Sequence, residues 1–328
     1  MNMPGKICNR VLITGATGFI GSHVARRLVK EGWTVGIIKR PTSNLHKIVD
    51  ILNRLIIFDA DLSSSQEVQK AVFDFCPDVL IHLATQYTVN HKPDQISPMV
   101  VTNVLGTVNL LQAAQEKAVK LFVNTSSCFV YKPSEDKVSE DRLRQPINLY
   151  ALTKMQAEDA CAFYADTYGL PSVTLRIFSP YGPGDHERRL IPYIINSFSS
   201  GEAPKMTTGK QRWDFVYIHD IVEAYLKVLQ RASFLNKHEI FNIGSGEAVS
   251  VRDIALKIKQ IMRSHLMPQW GIIPHRDNEL WHVCADIKKA KMDLGWTPQV
   301  RILNEGLAPT VEWFRENYSG NMTGVKNG

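Results

Sequence analysis

Val11-Leu-Ile-Thr-Gly-Ala-Thr-Gly-Phe-Ile-Gly21 joins a short apolar run to three glycines spaced three apart. Val11 to Ile13 has the character of a buried strand. The residues after it, Ser22 to Glu31, read as a helix that closes at Gly32. A strand that turns into a helix through Gly15, Gly18 and Gly21 is the physical layout of a dinucleotide site. Bare backbone lets a pyrophosphate come close, and the first amides of the helix face it. The spacing G-x-x-G-x-x-G makes this loop one residue longer than the common G-x-G-x-x-G. Thr14, Thr17, Phe19 and Ile20 belong to the same cofactor wall.

Outward from the loop, Thr34–Ile38 reads as a second strand ending at Lys39-Arg40, with Thr42 and Ser43 beyond. NAD sites usually place an acid at this point to bind the ribose 2′-hydroxyl. Two cations with no carboxylate beside them attract a 2′-phosphate instead, so NADP(H) is favoured and NAD(H) is the alternative. A third strand, Leu55–Phe58, ends at Asp59-Ala-Asp61-Leu62, which places Asp61 and Leu62 near an adenine. A fourth ends in Leu80-Ile-His-Leu-Ala-Thr85, bringing Leu83, Ala84 and Thr85 to the cofactor.

Strand patterns near 11–14, 34–38, 55–58, 78–83, 120–125 and 172–177 alternate with helical patterns near 20–31, 65–75, 98–117 and 148–168. That alternation predicts an α/β fold with a Rossmann-type, doubly wound parallel sheet. Past Gly184 the pattern loosens into helices around 188–200, 219–231, 250–264 and 304–316, with short strands between. The division expected is a dinucleotide-binding domain over 1–180 and a smaller C-terminal α/β substrate-binding lobe over 181–318, some of which could return to the first domain. A polar, flexible tail over 319–328 completes the chain.

Asn148-Leu-Tyr-Ala-Leu-Thr-Lys154 sets Tyr150 and Lys154 one turn apart on a helix face. By itself such a pair commonly belongs to a solvated surface. Beside a dinucleotide it acquires chemistry, because an ammonium stabilises a phenolate and makes tyrosine usable as acid and base near neutral pH.

The 328 residues, 44% hydrophobic, are enough to bury a substantial core. A net charge of +6 suits an anionic small molecule. The cations are scattered and form no basic run, which argues against nucleic acid. Five cysteines (Cys8, Cys76, Cys128, Cys161 and Cys284) lack C-x-x-C pairing and read as reduced thiols, neither a disulfide frame nor a metal site. No signal-peptide core and no apolar stretch near 20 residues is visible, so a cytoplasmic protein without a membrane span is expected, and the Asn321 sequon carries no meaning there.

These motifs, in this order, resemble the extended short-chain dehydrogenase/reductases of the nucleotide-sugar epimerase/dehydratase family. The likeness runs from about Arg10 to Phe314. It is carried by Thr14–Gly21, His82-Leu-Ala84, Asn103-Val-Leu-Gly-Thr107, Ser126-Ser127-x-x-Val-Tyr131 and Tyr150/Lys154. Tyr181-Gly-Pro-Gly184, Asp214-Phe-Val-Tyr217, Asn242-Ile-Gly-Ser-Gly246 and Leu294-Gly-Trp296 continue it. The resemblance implies that Tyr150 is the acid/base, that Lys154 binds the nicotinamide ribose and favours the phenolate, and that Ser127 holds the reacting substrate oxygen. Ser126 and Thr125 are fallback hydroxyls.

The resemblance also narrows the reaction. Family 4,6-dehydratases carry Asp-Glu directly after the hydroxyl residue, and this chain has Cys128-Phe129. Elimination therefore lacks its carboxylates, and ketone reduction and 4-epimerisation remain. The Lys39-Arg40 pair leans toward an NADPH-dependent 4-ketoreductase acting on a nucleotide-diphosphate 4-keto-6-deoxy sugar. The alternatives are a 4-epimerase with bound NAD and, more remotely, a dinucleotide sensor without turnover. Short stretches (Ile81–Tyr87, Met206–Gly209 and His275–Glu279) are similar to CDP-3,6-dideoxyhexose 4-ketoreductases of the abequose and paratose synthase type.

For the sugar nucleotide, Arg188-Arg189-Leu-Ile-Pro-Tyr193 opens a helix after the Gly182/Gly184 turn, where cations and amide donors beside Leu190 and Ile191 can hold phosphates. The resemblance implies Tyr87, Ser126, Ser127, Ser179 and Arg276 for the same substrate. Two departures stand out: Ser179 replaces the family's usual Asn, and Trp213 occupies an arginine position, with Arg212 as the substitute cation and Trp213 read as core in preference to a stack for a base or sugar. Apolar surface on the Tyr150 helix and on Leu105–Ala114 fits the homodimer common in the family.

Overall fold

The computed structural model describes residues 9–318 except Asn236, Asp277 and Asn278. The expected tail, Cys8 and the Asn321 sequon therefore lie outside the described residues. The chain opens with β1 (Arg10–Thr14), α1 (Phe19–Lys30), β2 (Thr34–Lys39) and β3 (Leu55–Asp59). It continues through α2 (Ser65–Phe75), β4 (Val79–His82), α3 (Ile96–Val100), α4 (Gly106–Glu116), β5 (Leu121–Ser127), α5 (Leu149–Tyr168) and β6 (Ser172–Ile177).

These strands form one parallel sheet of seven in the order β3-β2-β1-β4-β5-β6-β9, the last being β9 (His238–Ile243). Helices cover both faces, so the central strands read as continuous apolar runs: Val11, Leu12 and Ile13 are all fully buried. The order reverses at β1, whose neighbours are β2 on one side and β4 on the other. Ligands in such sheets bind beyond the carboxyl ends of the strands at this reversal. The glycine loop and the ends of β4 and β5 all emerge there.

A second sheet of four strands is built from β7 (Ser179–Tyr181), β8 (Arg212–Tyr217), β10 (Ala248–Ser250) and β11 (His282–Val283). The helices α6 (Leu190–Ser199), α8 (Val251–Met262) and α9 (Leu307–Tyr318) pack with it around a separate core that includes Ile194, Phe215, Ile254 and Phe314. Between them α7 (Ile218–Arg231) turns back and packs against α1, with Val222, Tyr225 and Leu226 in the main core.

The structure differs from the sequence expectation in three places. A 3-10 helix, His46–Arg54, anchors the β2–β3 connection by burying Ile48 and Ile51. The seventh strand, β9, rejoins the main sheet after α7. The stretch Pro93–Glu116 runs as one 24-residue helical path, through a π-helical segment at Val101–Leu105, and by length and composition is apolar enough to cross a membrane. Its Asn103, Leu110, Leu111 and Ala114 are buried in the fold.

Two contacts clasp the sheets together. The Lys47 ammonium donates to the Gly184 carbonyl at 2.6 Å, and His23 Nε2 meets the Pro183 carbonyl at 2.9 Å. Burial holds the His23 imidazole below its usual range, so a neutral ring that donates to the carbonyl fits there.

Candidate active site

A cavity of about 1140 Å³ runs along the carboxyl ends of the main sheet and continues over the second sheet. A single drug-sized ligand typically fills about 300–1000 Å³, so there is room for two partners side by side. Gly15, Thr17, Gly18, Phe19, Ile20 and Gly21 form its floor at one end, with Leu83, Ala84 and Thr85 beside them. Lys39, Arg40, Ser43, Asp61 and Leu62 close that end.

The loop has the geometry of a dinucleotide cradle. Gly18 N–H donates to the Gly15 carbonyl at 3.0 Å, which tightens the turn. A Cβ on Gly21 would stand 2.1 Å from that same carbonyl oxygen, and one on Gly15 would stand 2.5 Å from the Ala84 nitrogen. Among the described residues no side chain caps the start of α1, so its first amides are left to a ligand. These residues fit a nicotinamide dinucleotide.

Thr14 is the one proposed cofactor residue that stands behind the wall. Its hydroxyl meets His82 Nδ1 at 2.7 Å and accepts from the Ala84 amide at 3.2 Å. His82 Nε2 faces the Thr107 hydroxyl at 3.0 Å, and that hydroxyl donates to the Asn103 carbonyl. The chain of donors assigns a neutral imidazole with its proton on Nε2. Complete burial agrees, pushing the His82 pKa down to about 3.

Asn103, fully buried, ties the β4 loop to α5. Its side-chain oxygen accepts from the Gln86 amide at 2.7 Å and the Thr85 hydroxyl at 3.0 Å. Its amide donates to the Thr153 hydroxyl at 3.0 Å, which itself donates to the Tyr150 carbonyl. The Asn148 side chain caps α5 by accepting from the Ala151 amide at 2.8 Å. Tyr150 and Lys154 thus leave a rigid, capped helix and both line the cavity.

Burial acts on this pair in opposite directions. It drives the Tyr150 phenol far above its ordinary value, reinforced by Tyr87 and Cys128 and opposed by Arg189 and the Thr85 hydroxyl. It lowers Lys154 to about 8, with Glu158 partly opposing the shift. Ser127 ends β5 beside them, its hydroxyl accepting from the Phe129 amide at 3.2 Å. Thr125 is spoken for by the Tyr225 hydroxyl at 2.7 Å, whereas Ser126 Oγ is buried on the cavity wall with no partner among the described residues. Cys128 and Phe129 also line the cavity. Burial pushes the Cys128 thiol up to about 12, so it is neutral.

At the far end stand Tyr87, Ser179, Arg188, Leu190, Ile191 and Arg276, as the sequence suggested. The Tyr87 ring packs edge-on against Tyr150 at 4.9 Å. Arg212 does not join them: it points out of the cavity and donates to the Ala248 carbonyl at 2.7 Å. Trp213, next along β8, lines the cavity and stacks on Phe215, so its surface is shared between core and site. Arg189, the second cation of the Arg188-Arg189 pair, and Asp185, which sequence reasoning passed over, face the same space 3.6 Å apart. Among the described residues the cavity is lined by the cations Lys39, Arg40, Lys154, Arg188, Arg189, Lys205 and Arg276 and by the acids Asp61, Asp185 and Glu279, with Lys39 paired to Asp59 outside that lining, a net cationic wall suited to diphosphates.

A glycine cradle at the reversal point of a doubly wound sheet, with a buried Tyr–Lys pair beside it, defines a nicotinamide-dinucleotide enzyme. The chain belongs to the NAD dependent epimerase/dehydratase family, whose profile matches residues 11–244. It is similar to the CDP-abequose synthase of Salmonella typhimurium, 31% identical over 88% of this chain and 93% of the relative. A human dTDP-D-glucose 4,6-dehydratase is also 31% identical, over 96% of this chain and 93% of that protein. The structure of UDP-glucuronic acid 4-epimerase from Bacillus cereus, in complex with UDP-glucuronic acid and NAD, superposes with a TM-score of 0.84 at 28% identity, covering 94% of this chain and 100% of that one. The protein is thus an enzyme of a family that works on nucleotide sugars with a nicotinamide dinucleotide.

Proposed function

We propose that this protein is an NADPH-dependent 4-ketoreductase of a nucleotide-diphosphate 4-keto-6-deoxy sugar. The observation that carries the reading is the neutral wall beside Tyr150: Cys128 and Phe129 line the cavity where elimination would require carboxylates. A flat apolar ring and an uncharged thiol also suit a methyl group better than a hydroxymethyl or carboxylate. The bound dinucleotide would supply the hydride. Tyr150 gives its proton to the C4 oxygen, Ser127 hydrogen-bonds that oxygen, and the Lys154 ammonium favours the phenolate left behind. Arg188, Arg189 and Arg276 hold the diphosphate, and Arg40 favours a 2′-phosphate on the cofactor. The similarity to CDP-abequose synthase points the same way.

On this reading residues 1–180 hold the cofactor and the proton donor, and residues 181–318 hold mainly the sugar nucleotide, with β9 and α7 serving the first part. The remaining apolar surface of α3–α4 and α5, which exposes Ile96, Val100, Leu105, Phe163 and Tyr168, is the face through which two copies would pair. The main alternative, a 4-epimerase, regenerates its cofactor and retains NAD. Extraction and absorbance of the purified protein separate the two. The reductase is expected to come free of stoichiometric cofactor and to consume NADPH with CDP-, dTDP-, GDP- or UDP-linked 4-keto sugars. Tightly held NAD at one equivalent would overturn the reading.

A further inference from the structure

We propose that Asp59 tunes cofactor choice: it serves as the counter-ion of Lys39 and leaves Arg40 as the cation that meets a 2′-phosphate. The proposal rests on the dinucleotide reading of the cavity, not on which cofactor the wild-type protein prefers.

Lys39 ends β2 directly opposite Asp59 in the parallel register of β3. Lys39 Nζ is bonded to Asp59 Oδ1, and its side chain is 10% exposed against 57% for Asp59. The ladder itself therefore presents the carboxylate to the ammonium, which also donates to the Arg40 carbonyl at 3.4 Å. A phosphate approaching Lys39 must compete with an anion already seated.

Arg40 is different. It lines the cavity, is exposed, and forms no contact-range ion pair among the described residues. The nearby acid is Asp61, which accepts from the Ser63 amide at 2.8 Å and hydroxyl at 2.7 Å. Arg40 has a planar fork suited to phosphate, and Ser43 adds a hydroxyl at the same end. The two cations read as equals from the sequence are thus one neutralised and one available.

Titration of nicotinamide fluorescence with NADPH and with NADH tests this on wild type, Asp59→Asn, Lys39→Met and Arg40→Ala, with thermal melts confirming the fold. Asp59→Asn is expected to tighten NADPH about three- to fivefold while leaving NADH unchanged, the effect of freeing one surface charge. Arg40→Ala is expected to weaken NADPH about tenfold, and Lys39→Met less than about threefold. The proposal is overturned if Asp59→Asn leaves the NADPH-to-NADH ratio where it was, or if Lys39→Met loses as much as Arg40→Ala. A wild type that prefers NADH would revise the reductase reading alone, since the Asp59→Asn shift is still required. A wild type that binds neither nucleotide would overturn the dinucleotide reading and the proposal together.

Discussion

Lys154 is a cation only over part of the pH range, because burial lowers its pKa to about 8. The same burial keeps Tyr150 protonated throughout the neutral range. Below about pH 8 both groups are in the form reduction needs: a phenol to donate and an ammonium to stabilise what remains. As pH rises past that point the ammonium loses its proton and the stabilisation goes. We expect kcat/KM for ketone reduction to be level below this pH and to fall above it. Lys154→Arg, which cannot lose its charge, should remove the alkaline fall even if its absolute rate is lower. A wild-type profile with no alkaline fall would contradict this role. The Tyr150–Lys154 pair was legible in the sequence because both members share one helix turn. Asp59 was not, since its partner Lys39 lies on the neighbouring strand, 20 residues away. Arg212 was misplaced for a related reason: successive strand residues face opposite ways, so a one-residue shift in β8 turns Trp213 toward the cavity and Arg212 away from it.

At the scale of the element, the turn from β1 into α1 depends on Gly21 having no side chain. A Cβ there would stand 2.1 Å from the Gly15 carbonyl oxygen, and backbone cannot yield as a flexible side chain can. Gly21→Ala is expected to destabilise the fold by about 1–3 kcal/mol through this overpacking. It should weaken NADPH binding about tenfold by moving the first amides of α1. Denaturant unfolding and a nucleotide titration read the two effects, and a variant matching wild type in both would refute the cradle. The alternation of strands and helices up to β6 was legible because each element carries its own period. The strand β9 was harder to place: His238–Ile243 pairs with β6, and no local pattern in so short a strand says which sheet it joins. The 3-10 helix at His46–Arg54 was hidden similarly, in a connection whose buried apolar residues are Ile48 and Ile51.

Across the whole molecule, the ends of one cavity proposed to hold cofactor and sugar belong to different sheets, so on that proposal their relative position is part of the chemistry. Lys47 and His23 reach from the dinucleotide side to the backbone carbonyls of Gly184 and Pro183, just ahead of Arg188 and Arg189. The fold thereby sets Arg188 and Arg189, the proposed diphosphate cations, in one cavity with Tyr150. The proposed reduction requires that a hydride pass from the cofactor to the sugar C4. Incubation of the protein with NADPH deuterated at both C4 positions and a panel of nucleotide-linked 4-keto-6-deoxy sugars, followed by NMR of the product, reads that transfer. One NADPH consumed per sugar and deuterium at the sugar C4 are expected, with Tyr150→Phe slowed by orders of magnitude. A sugar interconverted with no NADPH consumed and no deuterium gained would contradict the proposed reduction.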